Sequence, residues 1–179
     1  FTINSIYSDQ EGNLYDPNDG VKHIEAGKVV FIGNPNKRIK EDYLRILRYI
    51  RFFLNYSNTP HDAFVKKSIK QNLAGINDLS KERLIDELKK IIYSKKFLKL
   101  FQDKFSLEIL LIIFPQLINI TNLGKLNNYS KNIFNKKNFV FLISYLIIDE
   151  SDNANYFLFK YNFSNEDKKR IKFLKENYL

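Results

Sequence analysis

The sequence contains no cysteine and no methionine, and its only histidines are His23 and His61. Without cysteine there are no disulfides and no thiolate zinc sites, which fits a reducing compartment, read here as cytoplasmic. The two histidines lie far apart without metal-ligand spacing, which argues against zinc or haem. The chain opens on Phe rather than Met, so it reads as a piece of something longer. No charged n-region leads it, so no secretory signal is read. Long hydrophobic runs are missing as well. "LEILLIIFPQLINI" (107–120) is broken by Glu108, Pro115, Gln116 and Asn119, and "FVFLISYLII" covers only 139–148. Both fall short of the roughly 20 residues a membrane span needs. They read as buried helices, and no membrane partner is expected.

Acidic residues are also in short supply. Lys and Arg number 29 against 20 Asp and Glu, for a net charge of +9 and a pI near 9.5. That balance is the electrostatic footprint of a polyanion binder. Lys, Asn and Ile abound throughout, as in proteins of AT-rich genomes, so charge alone does not decide the partner. The apolar fraction is 44% over 179 residues. This fits one large domain or two small ones with a real core.

Residues 1–33 differ from the rest. "FTINSIYSD" is β-branched and aromatic, "QEGN" gives a turn, and "LYDPNDG" follows, so a hairpin with "EGN" as its connection is predicted. "GVKHIEAG" predicts a short helical turn ended by Gly27, and "KVVFIG" a short strand. After "GNPN" the period becomes helical. Pro35 suits a first turn with Asn34 or Asn36 as cap. Tyr43, Ile46, Leu47, Ile50, Phe53 and Leu54 then recur at helical spacing. "NTPHD" (58–62) breaks the pattern. "HDAFVKKSIKQNLAGI" predicts a helix ending near Gly75. "LSKERLIDELKKIIYS" predicts another, with Ser80 as N-cap and Arg83 where a capping-box acid would stand. "KFLKLFQDKF", "SLEILLIIF", "FVFLISYLII" and "NEDKKRIKFLKENY" supply further helices, and 122–138 is a basic connector with helical potential in places.

The stretch "RIKEDYLRILRYIRFF" (38–53) concentrates arginine. Arg45, Arg48 and Arg51 follow Asp42 at three-residue intervals. On one continuous helix each step turns by about 300°, so the set winds as a ribbon opposite the apolar face. A solvated basic face would show the same geometry.

The sequence around this stretch closely resembles the bacterial tRNA nucleotidyltransferase (class II CCA-adding enzyme) and poly(A) polymerase family. The likeness rests on "FTINS" followed by "DPNDGVKHIEAGKVVFIGNPNKRIKEDYLRILRYIRF". The family pattern there is an F-T-[IV]-N strand, D-P-x-G-G-x-x-D-L-x-x-G, and I-G-x-P-x-x-R-[IF]-x-E-D-x-L-R-x-L-R-x-x-R-F. "NLAGINDLSKERLIDELKKII" resembles a downstream family helix. Asp19 stands where the first glycine of the pair is usual, His23 replaces an acid, and Val30 replaces an Arg.

The resemblance implies an α+β, mostly α-helical chain. Residues 1–35 would close a nucleotidyltransferase β head, 36–93 would form a helical neck, and 94–179 a helical body. It implies that "EDYLR" (41–45) reads a nucleotide. Asp42 is acceptor-only and Arg45 donor-only, which suits the amino group and bare ring nitrogen shared by cytosine and adenine. A mismatch with uracil or guanine would cost about 1–3 kcal/mol per unpaired group. Arg48 and Arg51 would contact the same nucleotide, and Asn4 would lie nearby. Arg38 and Glu41 are assigned to structure, Glu41 as a first-turn acid favoured by the helix dipole.

Substrates would be CTP and ATP, and the partner the tRNA 3′ end, with no oligomeric state implied. The family's Mg²⁺-holding D-x-D and its G-G-x-x-R-D stretch are not in this sequence, so no catalytic or metal-binding residue is assigned here and the segment is expected to be inactive alone. Basic stretches 66–71, 89–90, 94–96 and 135–138 would meet RNA phosphates or form solvated faces. A poly(A) polymerase of the same family, a non-catalytic helical RNA-binding module and a DNA-binding helix-turn-helix are the alternatives.

Overall fold

A computed structural model describes residues 1–125 and 138–177. It is mostly helical, with two short strands among the described residues, in agreement with the α+β, mostly α-helical expectation. The chain divides into two compact units, Phe1–Leu79 and Ser80–Leu179.

The first unit begins with a 3₁₀ turn, Thr2–Asn4, where a strand was expected. Ser5 is the reason: its N–H and its hydroxyl both donate to the carbonyl of Thr2, at 3.0 and 2.8 Å, and close the chain locally. The predicted hairpin is present. β1 (Tyr7–Ser8) pairs antiparallel with β2 (Leu14–Tyr15), Tyr7 opposite Tyr15. Asp9 binds the far side of the loop through Asn13, whose backbone and side-chain amides donate to the two carboxylate oxygens at 2.7 and 2.8 Å.

α1 (Gly20–Glu25) starts where Asp16 accepts the N–H groups of Gly20 and Val21, at 2.7 and 2.8 Å. Asp19, standing at a glycine position of the family pattern, has φ +54°. An Asp tolerates this left-handed conformation better than most residues, so the loop survives the exchange. Gly27 ends the helical turn at φ +62°, as expected. "KVVFIG" forms no strand; outside regular elements Lys28 N–H donates to the His23 carbonyl at 2.8 Å, and the Val30 carbonyl accepts the Thr2 N–H at 3.0 Å.

α2 (Pro35–Glu41) carries Pro at its start and is capped by Asn34, which accepts the Lys37 N–H at 3.1 Å. α3 (Arg45–Tyr56) buries Ile46, Leu47, Ile50 and Leu54 completely. Each such side chain contributes about 1.5–3 kcal/mol of burial. Phe1, Phe31, Tyr49 and Phe52 form an aromatic cluster beside them, with Phe1 4.4 Å from Phe31 and 5.2 Å from Phe52. α4 (Ala63–Asn72), capped by Asp62 through the Val65 N–H at 2.9 Å, packs on α2 and runs into a 3₁₀ turn, Leu73–Asp78.

The second unit opens with α5 (Lys81–Ile92), where Ser80 accepts the Arg83 N–H at 3.4 Å as the N-cap reading required. "KFLKLFQDKF" is not one helix. Phe97–Gln102 is 3₁₀, and Asp103 then caps α6 (Lys104–Ile113) by accepting the Ser106 N–H at 3.2 Å. Both greasy runs are helical in part and mostly buried: α6 stops at Ile113, before Pro115, and α7 (Phe139–Ile147) buries Leu142, Ile143, Leu146 and Ile147, while Ile112 and Phe141 stay exposed. α8 (Asn153–Lys160) lay in no predicted element, and α9 (Asn165–Glu176) matches the last one.

Two asparagines close the end of α7. Asn119 donates its side-chain amide to the Ile148 carbonyl at 2.7 Å, and its backbone N–H to that of Leu146 at 3.1 Å. Asn153 donates to the carbonyls of Ile147 and Gln116, at 2.7 and 2.9 Å. Among the described residues, no helix is long and apolar enough to cross a membrane.

Candidate functional site

The arginine-rich stretch is not one helix. α2 ends at Glu41, and Asp42 is extended at φ −156°, ψ 103°. α3 begins at Arg45, whose N–H donates to the Asp42 carbonyl at 3.0 Å. The Asp42 carboxylate also accepts the Leu44 N–H at 3.2 Å, which favours the turn over continued helix. This corrects the single-helix geometry, in which Asp42 and Arg45 were neighbours one turn apart.

Tyr43 fixes the break. A Cβ built on Gly75 would come within 2.2 to 2.4 Å of the Tyr43 ring. Only glycine lets the ring lie on the 3₁₀ turn this closely. Sequence pattern assigns Gly75 only a helix-ending role; its close approach to Tyr43 depends on a tertiary contact that no local pattern signals.

The charges around the break form an ordered set. Arg45 Nη1 donates to Glu41 Oε2 at 2.7 Å and also to the Arg38 carbonyl. Arg38 Nη1 donates to the same Glu41 oxygen. Glu41 is thus the last residue of α2 and an ion-pair partner, not a first-turn acid. The Arg45 hydrogen bond, reinforced by Arg38, holds its carboxyl below the ordinary glutamate value. Arg48 Nη1 stands 3.7 Å from Asp42 Oδ2.

Asp42 and Arg45 remain partly open, with 21% of each side chain exposed. The site therefore joins a partly open acceptor to a partly open fork donor, each steadied by a neighbour of opposite charge. Arg51 turns elsewhere: its guanidinium carbon lies 4.5 Å from the Phe52 ring centre, a cation–π arrangement. Asn4 is exposed on the 3₁₀ turn. Among the basic stretches, Lys66, Lys67 and Lys70 are exposed on α4, Lys89 and Lys90 on α5, whereas all of 135–138 except Asn138 lies outside the described residues. Among the described residues there is no group of three or more His, Asp or Glu that could hold a metal ion.

Comparison with known proteins gives concordant matches. The family model described as "Probable RNA and SrmB-binding site of polymerase A" matches residues 62–120. The human mitochondrial CCA tRNA nucleotidyltransferase 1 is 42% identical over 93 residues, 51% of this chain and 21% of that protein. A CCA-adding enzyme of Staphylococcus haemolyticus is 36% identical over 110 residues, 59% of this chain and 27% of that one. Poly(A) polymerase I of Haemophilus influenzae is 34% identical over 107 residues, 57% and 23% respectively. The matched stretch thus spans about a quarter of these curated relatives. A solved Thermotoga maritima CCA-adding enzyme complexed with tRNA shares the fold, with a TM-score of 0.64 over 98% of this chain and 46% of that one, at 18% identity. Over about half its length the chain is similar in sequence to CCA-adding enzymes and a poly(A) polymerase, and over nearly all of it the chain shares the fold of the Thermotoga enzyme.

Proposed function

We propose that the chain is part of a tRNA nucleotidyltransferase that adds CMP and AMP to the tRNA 3′ end, working in a reducing, cytoplasmic setting. In this reading residues 1–35 close the catalytic head, 36–93 form the neck and 94–179 belong to the body. Asp42 and Arg45 read the incoming base and admit CTP and ATP. Arg48 holds the Asp42 carboxylate and meets the triphosphate, Arg51 contributes further positive charge, and Asn4 lies near the nucleotide.

The observation that carries this reading is the break at Asp42. It leaves a carboxylate and a guanidinium partly open on either side of a tight turn, each with a charged partner of its own. An acceptor-only group beside a donor-only fork complements the edge that cytosine and adenine share. Mg²⁺, when bound by the intact enzyme, would supply the charge stabilisation that phosphoryl transfer needs. This chain's own residues would select and orient the nucleotide.

Asp42→Ala in the full-length enzyme tests the reading. Incorporation of UMP and GMP should rise relative to CMP and AMP while the protein stays folded. Unchanged selection would remove Asp42 from base reading. The 179-residue chain alone, incubated with tRNA, CTP, ATP and Mg²⁺, should give no extension.

A poly(A) polymerase is the second reading, favoured by the 34% identity to the Haemophilus enzyme. Sequencing the 3′ ends made by the full-length enzyme separates CCA from an A-tract.

A further inference from the structure

Asp42 and Arg45 are each steadied by charge, Asp42 beside Arg48 and Arg45 by Glu41. Those pairs fix where each side chain points. How far apart the two groups stand is set by the backbone of the turn between them, and Tyr43 is the residue on which that turn pivots. The Asp42 carbonyl accepts the Arg45 N–H at 3.0 Å, and the Tyr43 carbonyl accepts the Ile46 N–H at 3.1 Å. A shift of Tyr43 therefore moves the carboxylate and the guanidinium relative to each other.

The Tyr43 ring rests on a platform supplied by a later part of the first unit. Asn72, at the end of α4, ties that helix to α2: its amide donates to Asn36 Oδ1 at 2.6 Å and to the Ser68 carbonyl at 2.7 Å. The 3₁₀ turn Leu73–Asp78 follows directly, buries Ile76, and brings Gly75 under the ring. Gly12, Gly27 and Gly33 have positive φ, whereas Gly75 does not. The backbone at Gly75 would tolerate a side chain, but the space it needs is taken by the Tyr43 ring. Glycine at this position serves the contact and not the turn. The Tyr43 hydroxyl makes no hydrogen bond among the described residues, so the contact uses the ring alone.

We propose that Tyr43 is a positioning residue for base selection. Its ring, seated on Gly75, holds the turn so that the Asp42 acceptor and the Arg45 fork meet one base edge together. Two hydrogen bonds to a single edge tolerate little error, and a misplacement of about 1 Å can cost on the order of 100-fold. The proposal rests on the base-reading role given above to Asp42 and Arg45, and deepens it by naming what keeps the two in register. Tyr43 itself does not touch the nucleotide.

The test is steady-state incorporation by the full-length enzyme, with kcat and KM measured for CTP, ATP, UTP and GTP and a urea midpoint for every variant. Tyr43→Ala should lower the CTP/UTP and ATP/GTP ratios of kcat/KM about 5- to 100-fold, chiefly through a higher KM for CTP and ATP. Gly75→Ala, which leaves the tyrosine in place and removes its seat, should lower them in the same way. Tyr43→Phe keeps the ring and should keep wild-type ratios. Val65→Ala takes buried volume from α4 away from the turn, so it should lower the urea midpoint and leave the ratios unchanged. Wild-type ratios in folded Tyr43→Ala and Gly75→Ala would overturn the proposal. So would ratios in Val65→Ala that fall in step with its lost stability, since selection would then track stability alone. A loss in Tyr43→Phe equal to that in Tyr43→Ala would place the hydroxyl on the substrate and overturn it as well. In each of these cases a lowered ratio in Asp42→Ala leaves the base-reading role intact. Unchanged ratios in Asp42→Ala would overturn both.

Discussion

Glu41 and Arg45 form the ion pair that joins the end of α2 to the start of α3: Oε2 accepts from Nη1 at 2.7 Å. Glu41 thereby acts as a positioning residue for the guanidinium proposed to face the base. Glu41→Gln in the full-length enzyme should reduce discrimination between CTP or ATP and UTP or GTP, less severely than Asp42→Ala does, because the Arg38 carbonyl still holds Arg45. Misincorporation assays with single nucleotides measure it.

The same pair sets a pH dependence. The Glu41 carboxyl lies below its ordinary 4.5 in the folded protein. A depressed carboxylate contributes stability above its unfolded value, and loses it as pH falls through the folded one. Wild type and Glu41→Gln should therefore differ in thermal stability at neutral pH. The difference should vanish as acid carries the pH well below 4.5. A gap that persists in acid would show that the pair contributes nothing through charge.

Arg45→Lys should behave as a loss and not as a conservative change. Both held contacts come from Nη1, which leaves the rest of the guanidinium to face outward; a single ammonium has no second nitrogen to offer once it holds Glu41 and the Arg38 carbonyl. Expected is a fall in selectivity together with a small drop in unfolding midpoint at neutral pH, read from incorporation kinetics and chemical denaturation of one preparation.

Gly75→Ala should unseat Tyr43. The added methyl meets the ring at 2.2 Å, so the turn or the ring must move. Overpacking of this kind costs about 1–3 kcal/mol. Denaturant midpoints for Gly75→Ala, Tyr43→Ala and the double variant should be non-additive, since both act on one contact.

Tyr161 gives the second unit an alkaline limit. It is buried, and burial pushes its phenol up to about 12. The unfolded chain ionises Tyr near 10.0, so the folded state retains the proton longer and stability falls as pH rises between these values. Tyr161→Phe should flatten the alkaline end of the pH–stability curve by up to about 1.4 kcal/mol per pH unit.

Caps were legible in the sequence because they are local. Asn34 before Pro35, and Ser80 before Lys81, satisfy N–H groups within three residues. The hairpin was legible from its turn residues and Gly12. The break at Asp42 was not, because "KEDYLRIL" contains no Gly or Pro and the apolar period runs straight on. Its cause, Tyr43 seated on Gly75, is tertiary. α8 was hidden because "NANYFLFK" is short and starts with weak helix formers. Of the named nucleotide-site residues, Asp42, Arg45 and Arg48 gather at the turn. Arg51 lies over Phe52, and Asn4 is exposed on a turn where a strand was expected.

The asparagine clasp at the end of α7 makes this chain vulnerable to chemical ageing. Deamidation of Asn153 would replace an amide donating to two carbonyls with a carboxylate that can only accept. Two carbonyl partners would be abandoned at once, and the new charge would face the carbonyl end of α7 from the first residue of α8. A stored sample should thus accumulate a distinct acidic form, one mass unit heavier, whose loosening begins at Ile147 and not at the nucleotide-reading turn.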